Sequence, residues 1–478
     1  MLLRMIYDPG LAQAAYLIGC QRTKEAIVFD PERDIDRYMK AAESNGVKII
    51  AVAETHIHAD FLSGARELAE KVGARVYVSD EGDSDWKYQW LDKRSTGGSY
   101  DHRLLKNGDV FRVGNIEFKA VHTPGHTPEH MMFVVTDLGA GATEPIGAIT
   151  GDFVFVGDLG RPDLLETAAG VEGAKEPSAR RLFSSLPLFL NLPDFVQVWP
   201  AHGAGSACGK ALGAVPQTTV GYERRFSPAL RAATSEKSFV DFILEGQPEP
   251  PTYFARMKRE NKMGPRILGS LPKPIPLTAE EALRLDPRSS VIIDTRQWDM
   301  FQAGHIPGSL FAPKDSMFSA VVGSYVGENE GVYLVVETSC TEDAVRELVR
   351  IGLDNIVGMI DRFTIDKWAQ MTGKGAKIAE VDALKGADML DRREAVMLDV
   401  RRHDEFVEGH ASGAIHVAHT RLSAELDRLP RDTPLLVTCR SGGRSSRASA
   451  YLQRKGFKVT NLAGGMLAWE RAGNVMKK

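Results

Sequence analysis

Apolar positions in the first half of the chain fall into short β-branched runs that alternate with stretches of helical spacing. Ala26-Ile-Val-Phe-Asp30 reads as a strand, residues 34–45 as a helix, Lys48 to Ala53 as a second strand, and Gly64 to Val72 as a second helix. A further strand, Ile116 to Ala120, runs straight into a histidine-rich segment. Around Gln247-Pro-Glu-Pro-Pro251 and Leu271-Pro-Lys-Pro-Ile-Pro276 the periodicity disappears and proline accumulates, which predicts a semi-rigid linker over 246–276. Beyond it the pattern repeats. Val291-Ile-Ile-Asp-Thr-Arg296 with Phe301, Gly304, His305 and Gly308 matches Val396-Met-Leu-Asp-Val-Arg401 with Phe406, Gly409, His410 and Gly413, each 105 residues on. Two copies of one parallel α/β domain are expected, over 277–377 and 378–478, after a first domain over 1–245.

Composition narrows the function classes. A chain of 478 residues exceeds the roughly 100–200 that one core usually holds. It is 43% hydrophobic and 26% charged, and no apolar run approaches the roughly 20 residues of a membrane span, so insertion into a membrane is not expected. A formal net charge of −4 gives no basic footprint for nucleic acid, which leaves small-molecule chemistry. Asp8 and Pro9 interrupt any apolar core of a secretory signal, and a cytoplasmic location is expected. The four cysteines, Cys20, Cys208, Cys340 and Cys439, are scattered without CxxC spacing, which argues for free thiols rather than a disulfide framework or a zinc ribbon.

The chemistry of the first half lies at the ends of the strands. His56, His58 and Asp60 alternate after the Lys48–Ala53 strand, and His126, Asp152 and His202 each follow an apolar run. Ligand-type residues at successive strand ends can converge on one edge of a sheet, where imidazole and carboxylate suit a divalent transition metal. Spacing alone allows His56, His58 and His126 as a three-imidazole set, or two imidazoles with Asp152.

Thr55-His-Ile-His-Ala-Asp60, Thr123-Pro-Gly-His-Thr127, Thr150-Gly-Asp152 and Trp199-Pro-Ala-His202 resemble the metal motifs of the metallo-β-lactamase superfamily, which implies an αββα sandwich over roughly residues 1–245. Dinuclear hydrolases of that superfamily, glyoxalase II among them, carry one more His directly after the Asp. Here that position is Phe61, which favours one metal over two. The H-x-H-A-D motif and the segment from Gly151-Asp152 to Gly160-Arg161 resemble persulfide dioxygenases more closely. That resemblance implies a single Fe(II) per chain held by His56, His126 and Asp152, with His58, Asp60 and His202 orienting ligands and waters. Two imidazoles and one carboxylate leave open positions on iron for dioxygen and a persulfide sulfur. Arg161 is a candidate for holding an anionic group of the substrate. Cys208, in the Gly-rich loop six residues after His202, is a candidate to face the metal pocket. The alternative is a dinuclear zinc thiolester hydrolase.

In the second half, Pro434-Leu-Leu-Val-Thr438 reads as a buried strand and Ser446 to Lys455 as a helix, with Cys439-Arg-Ser-Gly-Gly-Arg-Ser445 between them. Gly442 and Gly443 let the backbone curl so that N–H groups point inward, which favours a thiolate and a persulfide on Cys439. Arg440 and Arg444 add positive charge for thiosulfate or sulfite. This loop, with Asp399-Val-Arg401 and Gly409-His410, resembles a rhodanese sulfurtransferase domain. In the first copy Glu337-Thr-Ser-Cys-Thr-Glu-Asp343 follows the strand, acidic and without glycine, so that copy is expected to be catalytically silent and Cys340 inactive. The combined resemblance implies an enzyme that acts on low-molecular-weight persulfides of the glutathione, coenzyme A or bacillithiol type with dioxygen. Sulfite and thiosulfate are its products, and it is expected to form a homo-oligomer.

Overall fold

A computed structural model of the chain describes residues 1–168, 170–373 and 375–477. They divide into two compact units: Met1–Gln247, Tyr253–Ser270 and Val349–Gly352 in the first, and Pro248–Thr252, Leu271–Leu348 and Leu353–Lys478 in the second.

The first unit is built on two six-stranded sheets. One is β1 (Leu2–Asp8), β2 (Gln13–Cys20), β3 (Glu25–Phe29), β4 (Lys48–Ala53), β5 (Arg75–Ser79) and β6 (His102–Leu105), neighbours in that order. The other contains β7 (Val110–Val113), β8 (Ile116–His122), β9 (Met131–Asp137), β10 (Gly147–Gly151), β11 (Gln197–Pro200) and β12 (Thr218–Thr219), in the order β12-β11-β10-β9-β8-β7. Their inner faces meet through Tyr16, Ile18 and Phe29 on one side and Phe118, Phe133 and Trp199 on the other, with Phe29 and Phe133 ring centres 5.1 Å apart. The outer face of the first sheet is covered by Tyr38 and Leu68 of the helices Asp36–Ser44 and Ala65–Val72. That of the second is covered by Leu182 and Phe189 of Lys175–Leu190 and by Phe239 of Glu236–Leu244. With both faces covered, β2 is buried at all eight positions and reads in sequence as an apolar run rather than an alternation. The layers are helix, sheet, sheet, helix: the expected αββα sandwich.

The stretch expected as linker behaves differently. Within it, Phe254–Met263 is a helix and residues 253–270 belong to the first unit. Phe254 and Met257 are buried, and Glu67 accepts hydrogen bonds from the backbone N–H groups of Leu268 and Gly269, both at 2.8 Å. The flanking prolines hid a short amphipathic helix that buries only Phe254, Met257 and Asn261.

The second unit contains two five-stranded parallel sheets of one topology. In one, Ser290–Asp294 lies between Leu310–Phe311 and Gly331–Val335; in the other, Val396–Asp399 lies between Ile415–His416 and Leu435–Thr438. The repeated residues do the same work in each copy. Arg296 forks onto Asp294 and donates to the Gly304 carbonyl (3.0 Å), as Arg401 does to Asp399 and Gly409 (2.7 Å). His305 stacks on Phe301 and His410 on Phe406, with centroids 3.8 and 3.9 Å apart. Among the described residues, no helix is long and apolar enough to cross a membrane.

Candidate functional site

The carboxyl ends of β4, β10 and β11 and the turn after β8 lie together at one edge of the sandwich. The chain leaves β4 as Glu54-Thr55-His56-Ile57-His58, the turn after β8 carries His126, β10 ends in Asp152, and β11 runs into His202. The sheets are tied at this edge: Tyr16 Oη donates to the Pro200 carbonyl (2.8 Å), and the Ala14 N–H donates to the Ala201 carbonyl (2.7 Å).

Three donor groups converge, each with ligand atoms within 4.8 Å of one another: His56, His126 and Asp152; Asp60, His202 and Cys208; and Asp30, Glu54 and His58. All nine residues are buried. In the first group the ring nitrogens are sorted by their neighbours. Thr55 Oγ1 donates to Asp30 Oδ2 (2.9 Å), which leaves its lone pair to accept from His56 Nδ1 (2.9 Å). His126 Nδ1 faces the Arg161 carbonyl at 3.0 Å and can only donate to it. Both rings are thereby left with Nε2 unprotonated, the form that binds a metal. Asp152 Oδ2 stands 3.4 Å from His126 Nε2, and Oδ1 stands 3.4 Å from His202 Nε2. Neither oxygen has a hydrogen-bond partner within normal geometry among the described residues, although the Cys208 thiol is close enough to act on the carboxylate. Burial pushes the Asp152 carboxyl up to about 6 and holds His126 down at about 4 and His56 well below the usual imidazole range. A buried carboxylate among neutral imidazoles is a charge with little compensation, and a divalent cation is the group that these donors fit.

The other two groups differ. His58 turns Nε2 to Glu54 (3.0 Å) and Asp30 (3.2 Å), and its pKa is raised well above normal despite its burial, because those carboxylates outweigh the desolvation. The ligand atoms of His58 thus gather with those of Asp30 and Glu54 rather than with those of His56 and His126, and its Nδ1 has no hydrogen-bond partner among the described residues. Phe61 packs against His58 with ring centres 4.4 Å apart, where a further imidazole would serve a second metal. In the remaining group His202 Nε2 lies 3.3 Å from Asp60 Oδ2 while its Nδ1 faces the Ala12 carbonyl at 3.2 Å. Burial, with the Asp60 and Asp152 carboxylates nearby, keeps the Cys208 thiol protonated.

Arg161 is not open to a ligand. It is 1% exposed, forks onto Asp163 at 2.8 and 2.6 Å, and donates to the Ala207 carbonyl at 3.0 Å. It braces the loop that carries Cys208, and its own carbonyl orients His126. Sequence reasoning missed Asp30, Glu54 and Glu129, whose Oε1 accepts from the Ile57 N–H (2.7 Å). It also gave no role to His130, which accepts from the Asp152 N–H at 3.1 Å. A small pocket of about 20 Å³ lies beside the first group, lined by His126, Thr127, Ile57, Leu164 and Phe254 among others.

In the second unit the strand Leu435–Thr438 delivers Cys439, and the helix begins at Gly443, three residues earlier than its spacing suggests. Gly442 has φ +105°, a left-handed conformation, and its N–H donates to Cys439 Sγ at 3.1 Å. Cys439 is buried and Arg440 exposed. Arg444, expected as free positive charge, is instead forked onto Glu405 at 2.5 and 2.7 Å. In the first copy, Asp294 pairs with Val335 as Asp399 pairs with Thr438. The residue in the register of Cys439 is therefore the buried Val336, while Cys340 sits exposed in a helical turn four residues further on.

Comparison with known proteins agrees with both folds. The family described as Metallo-beta-lactamase superfamily matches residues 8–202, and the one described as Rhodanese-like domain matches residues 382–472. A Beta-lactamase hydrolase-like protein of Xylella fastidiosa is 29% identical over 253 residues, 49% of this chain and 53% of that protein. The mitochondrial persulfide dioxygenase ETHE1 of Mus musculus is 25% identical over 239 residues, 49% of this chain and 78% of that protein. The chain spans about half the length of the first curated relatives it matches. A crystal structure of a metallo-beta-lactamase from Staphylococcus aureus is 38% identical with a TM-score of 0.67, covering 76% of this chain and 99% of that one. On these grounds the chain belongs to the metallo-β-lactamase superfamily, with a rhodanese-like domain following that fold.

Proposed function

We propose that the chain is a persulfide dioxygenase coupled to a sulfurtransferase, working in a reducing, cytoplasmic compartment on thiol persulfides of low molecular weight. Residues 1–245 oxidise the persulfide, 277–377 form a silent rhodanese-like copy, and 378–478 transfer sulfur. The observation that carries this reading is the buried, converging set of His56, His126 and Asp152, with Phe61 in place of a second-site imidazole.

In this reading His56, His126 and Asp152 hold one ferrous ion per chain. Bound there, iron supplies open positions at which dioxygen and a sulfur anion can meet. The protein does the rest. Thr55 and the Arg161 carbonyl fix the two ring tautomers, and the apolar walls beside His126 and Thr127 keep water from the sulfur. The outer sulfur leaves as sulfite and the carrier leaves as free thiol, with water supplying the remaining oxygen. At the second site the Cys439 thiolate attacks the outer sulfur of a donor, the donor's S–S bond breaks, and the sulfur stays on Cys439. Sulfite then attacks that outer sulfur, releasing thiosulfate and restoring the thiolate. The Gly442 N–H, pointing at Sγ, stabilises the anion in both steps.

One observation favours the alternative, a dinuclear thiolester hydrolase: Asp152 faces both His126 and His202 and so lies between two donor groups. The test is a metal count with oxygen-electrode turnover. About one iron per chain and dioxygen uptake with a glutathione or coenzyme A persulfide is the expected result. About two zinc per chain, or iron-replete protein that consumes no dioxygen with any persulfide, overturns the proposal.

A further inference from the structure

The helix Phe254–Met263, hidden in a proline-flanked stretch, is pinned to the backbone of the metal-type loop. Asn261 Nδ2 donates to the carbonyls of His58 (2.8 Å) and Phe61 (2.7 Å), and its Oδ1 accepts from the Ser63 N–H (2.8 Å). Lys258 lies three residues earlier and therefore on the same side of the helix. Its ammonium sits 3.9 Å from the centre of the Trp86 ring, and both residues line the pocket that His126 also lines. Asp85, next to that ring in sequence, pairs with Lys262 at 3.1 Å; Lys258 makes no direct ion pair among the described residues, and the carboxyl that acts on it most, Glu129, is pushed up to about 7 by its burial. The remaining walls, Ile57, Leu164, Leu165 and Phe254, are apolar. A cation with no direct ion-pair partner, on the wall of a mostly apolar pocket beside a candidate metal centre, is a receptor for an anion on a ligand whose other end reaches that centre.

We infer that Lys258, held over Trp86, binds the anionic group of the thiol carrier, so that the site takes thiols bearing a carboxylate or phosphate at a distance from sulfur, joined by an arm that lies along the apolar mouth of this pocket. The inference rests on reading the site as one that handles persulfides, and it takes over the part that sequence reasoning gave to Arg161. The ring beneath the ammonium and the pinned helix keep the charge in place. Burial lowers the Lys258 pKa, as partial loss of water around an ammonium does, against the raising pull of Glu129.

The test uses the full-length, iron-loaded protein as wild type, Lys258→Gln and Lys258→Arg, titrated calorimetrically at low ionic strength with coenzyme A, glutathione and uncharged pantetheine. Lys258→Gln is expected to weaken the anionic thiol by about ten-fold or more and to leave pantetheine within about two-fold, with Lys258→Arg close to wild type. A loss confined to coenzyme A identifies a phosphate, and one confined to glutathione a carboxylate. Added salt should narrow the difference. Equal losses for pantetheine, no loss for either anionic thiol, or wild-type protein that binds neither overturns the inference. Dioxygen uptake separates the two levels of the argument. Lys258-dependent binding without uptake from the matching persulfide overturns the dioxygenase reading and leaves the receptor standing; uptake whose KM is indifferent to Lys258→Gln does the reverse.

Discussion

Replacing Gly160 by alanine tests whether the metal centre is held by close backbone packing. Gly160 is not in a left-handed conformation, so alanine is tolerated locally and the only obstacle is space. A Cβ there would lie 1.7 Å from the Asp152 carbonyl oxygen, 2.8 Å from its carbonyl carbon and 3.4 Å from His126 Cβ. Cβ atoms do not approach carbonyl oxygens much closer than about 3 Å, so one backbone must move by more than about 1 Å. The residue pushed is Asp152, the carboxylate of the proposed ligand set, and metal–ligand distances tolerate only about 0.2 Å. The expected result is iron well below one per chain and dioxygen uptake down by about a hundred-fold or more, since about 1 Å of misplacement at a reacting centre costs that much. Gly157→Ala is the control. It has φ +79° with nothing within 4 Å of a Cβ, so it strains the backbone by about 1–2 kcal/mol and displaces nothing. Elemental analysis and an oxygen electrode give the readouts. Gly160→Ala protein with full iron and wild-type uptake would refute the argument, as would equal metal loss in both variants.

Three further outcomes follow from the same geometry. Asn261→Ala strands two buried carbonyls and one N–H beside the metal-type loop, and should cost the first unit roughly 3 kcal/mol or more and lower metal retention; a denaturation midpoint matching wild type would contradict the pinning. Cys439→Ser should abolish sulfur transfer to sulfite while leaving dioxygen uptake unchanged, and residual transfer would implicate another thiol. His419, buried beside Arg444 and Arg447, is held down at about 3 by burial and those guanidinium groups, so between about pH 6.5 and that value the unfolded chain takes up a proton that the folded one refuses. Stability of the second unit should fall with decreasing pH by about 1.4 kcal/mol per unit across that window, and His419→Gln should flatten the slope; an unchanged slope in the variant assigns it elsewhere.

The parts of the chain legible in sequence are those whose signal is local. β4, β8 and the helix Ala65–Val72 carry their periodicity in consecutive residues, and the sequence reading placed them to within two residues. The donors His56, His126, Asp152 and His202 stand at strand ends, where topology rather than long-range detail brings them together. The helix Phe254–Met263 was not legible, because its amphipathic face is short and lies between prolines, and its partners are some 200 residues away. Asp30, Glu54 and Glu129 escaped for a related reason. A carboxylate at a strand end looks like any other until the fold buries it against a histidine or a loop N–H.

The two arginines beside reactive residues make the same point from the chemical side. Arg161 and Arg444 were read as cationic groups for anionic substrates because each stands next to residues that carry chemistry. In the folded chain each forks onto a carboxylate, Asp163 or Glu405, and its charge is taken up in fixing a loop. A guanidinium only 1% exposed, as Arg161 is, must be paired wherever it lies, so proximity in sequence to a candidate ligand says that it is near the site and not that it faces the substrate. Lys258 is the opposite case. It is remote from every motif and only half-buried, and it makes no direct ion pair among the described residues, because its flexible stem can rest on apolar surface with the ammonium over an aromatic ring. Charge without an ion pair in a pocket is thus a property of burial and pairing, which a motif does not encode, and the residue that meets these conditions here is one that no motif marks.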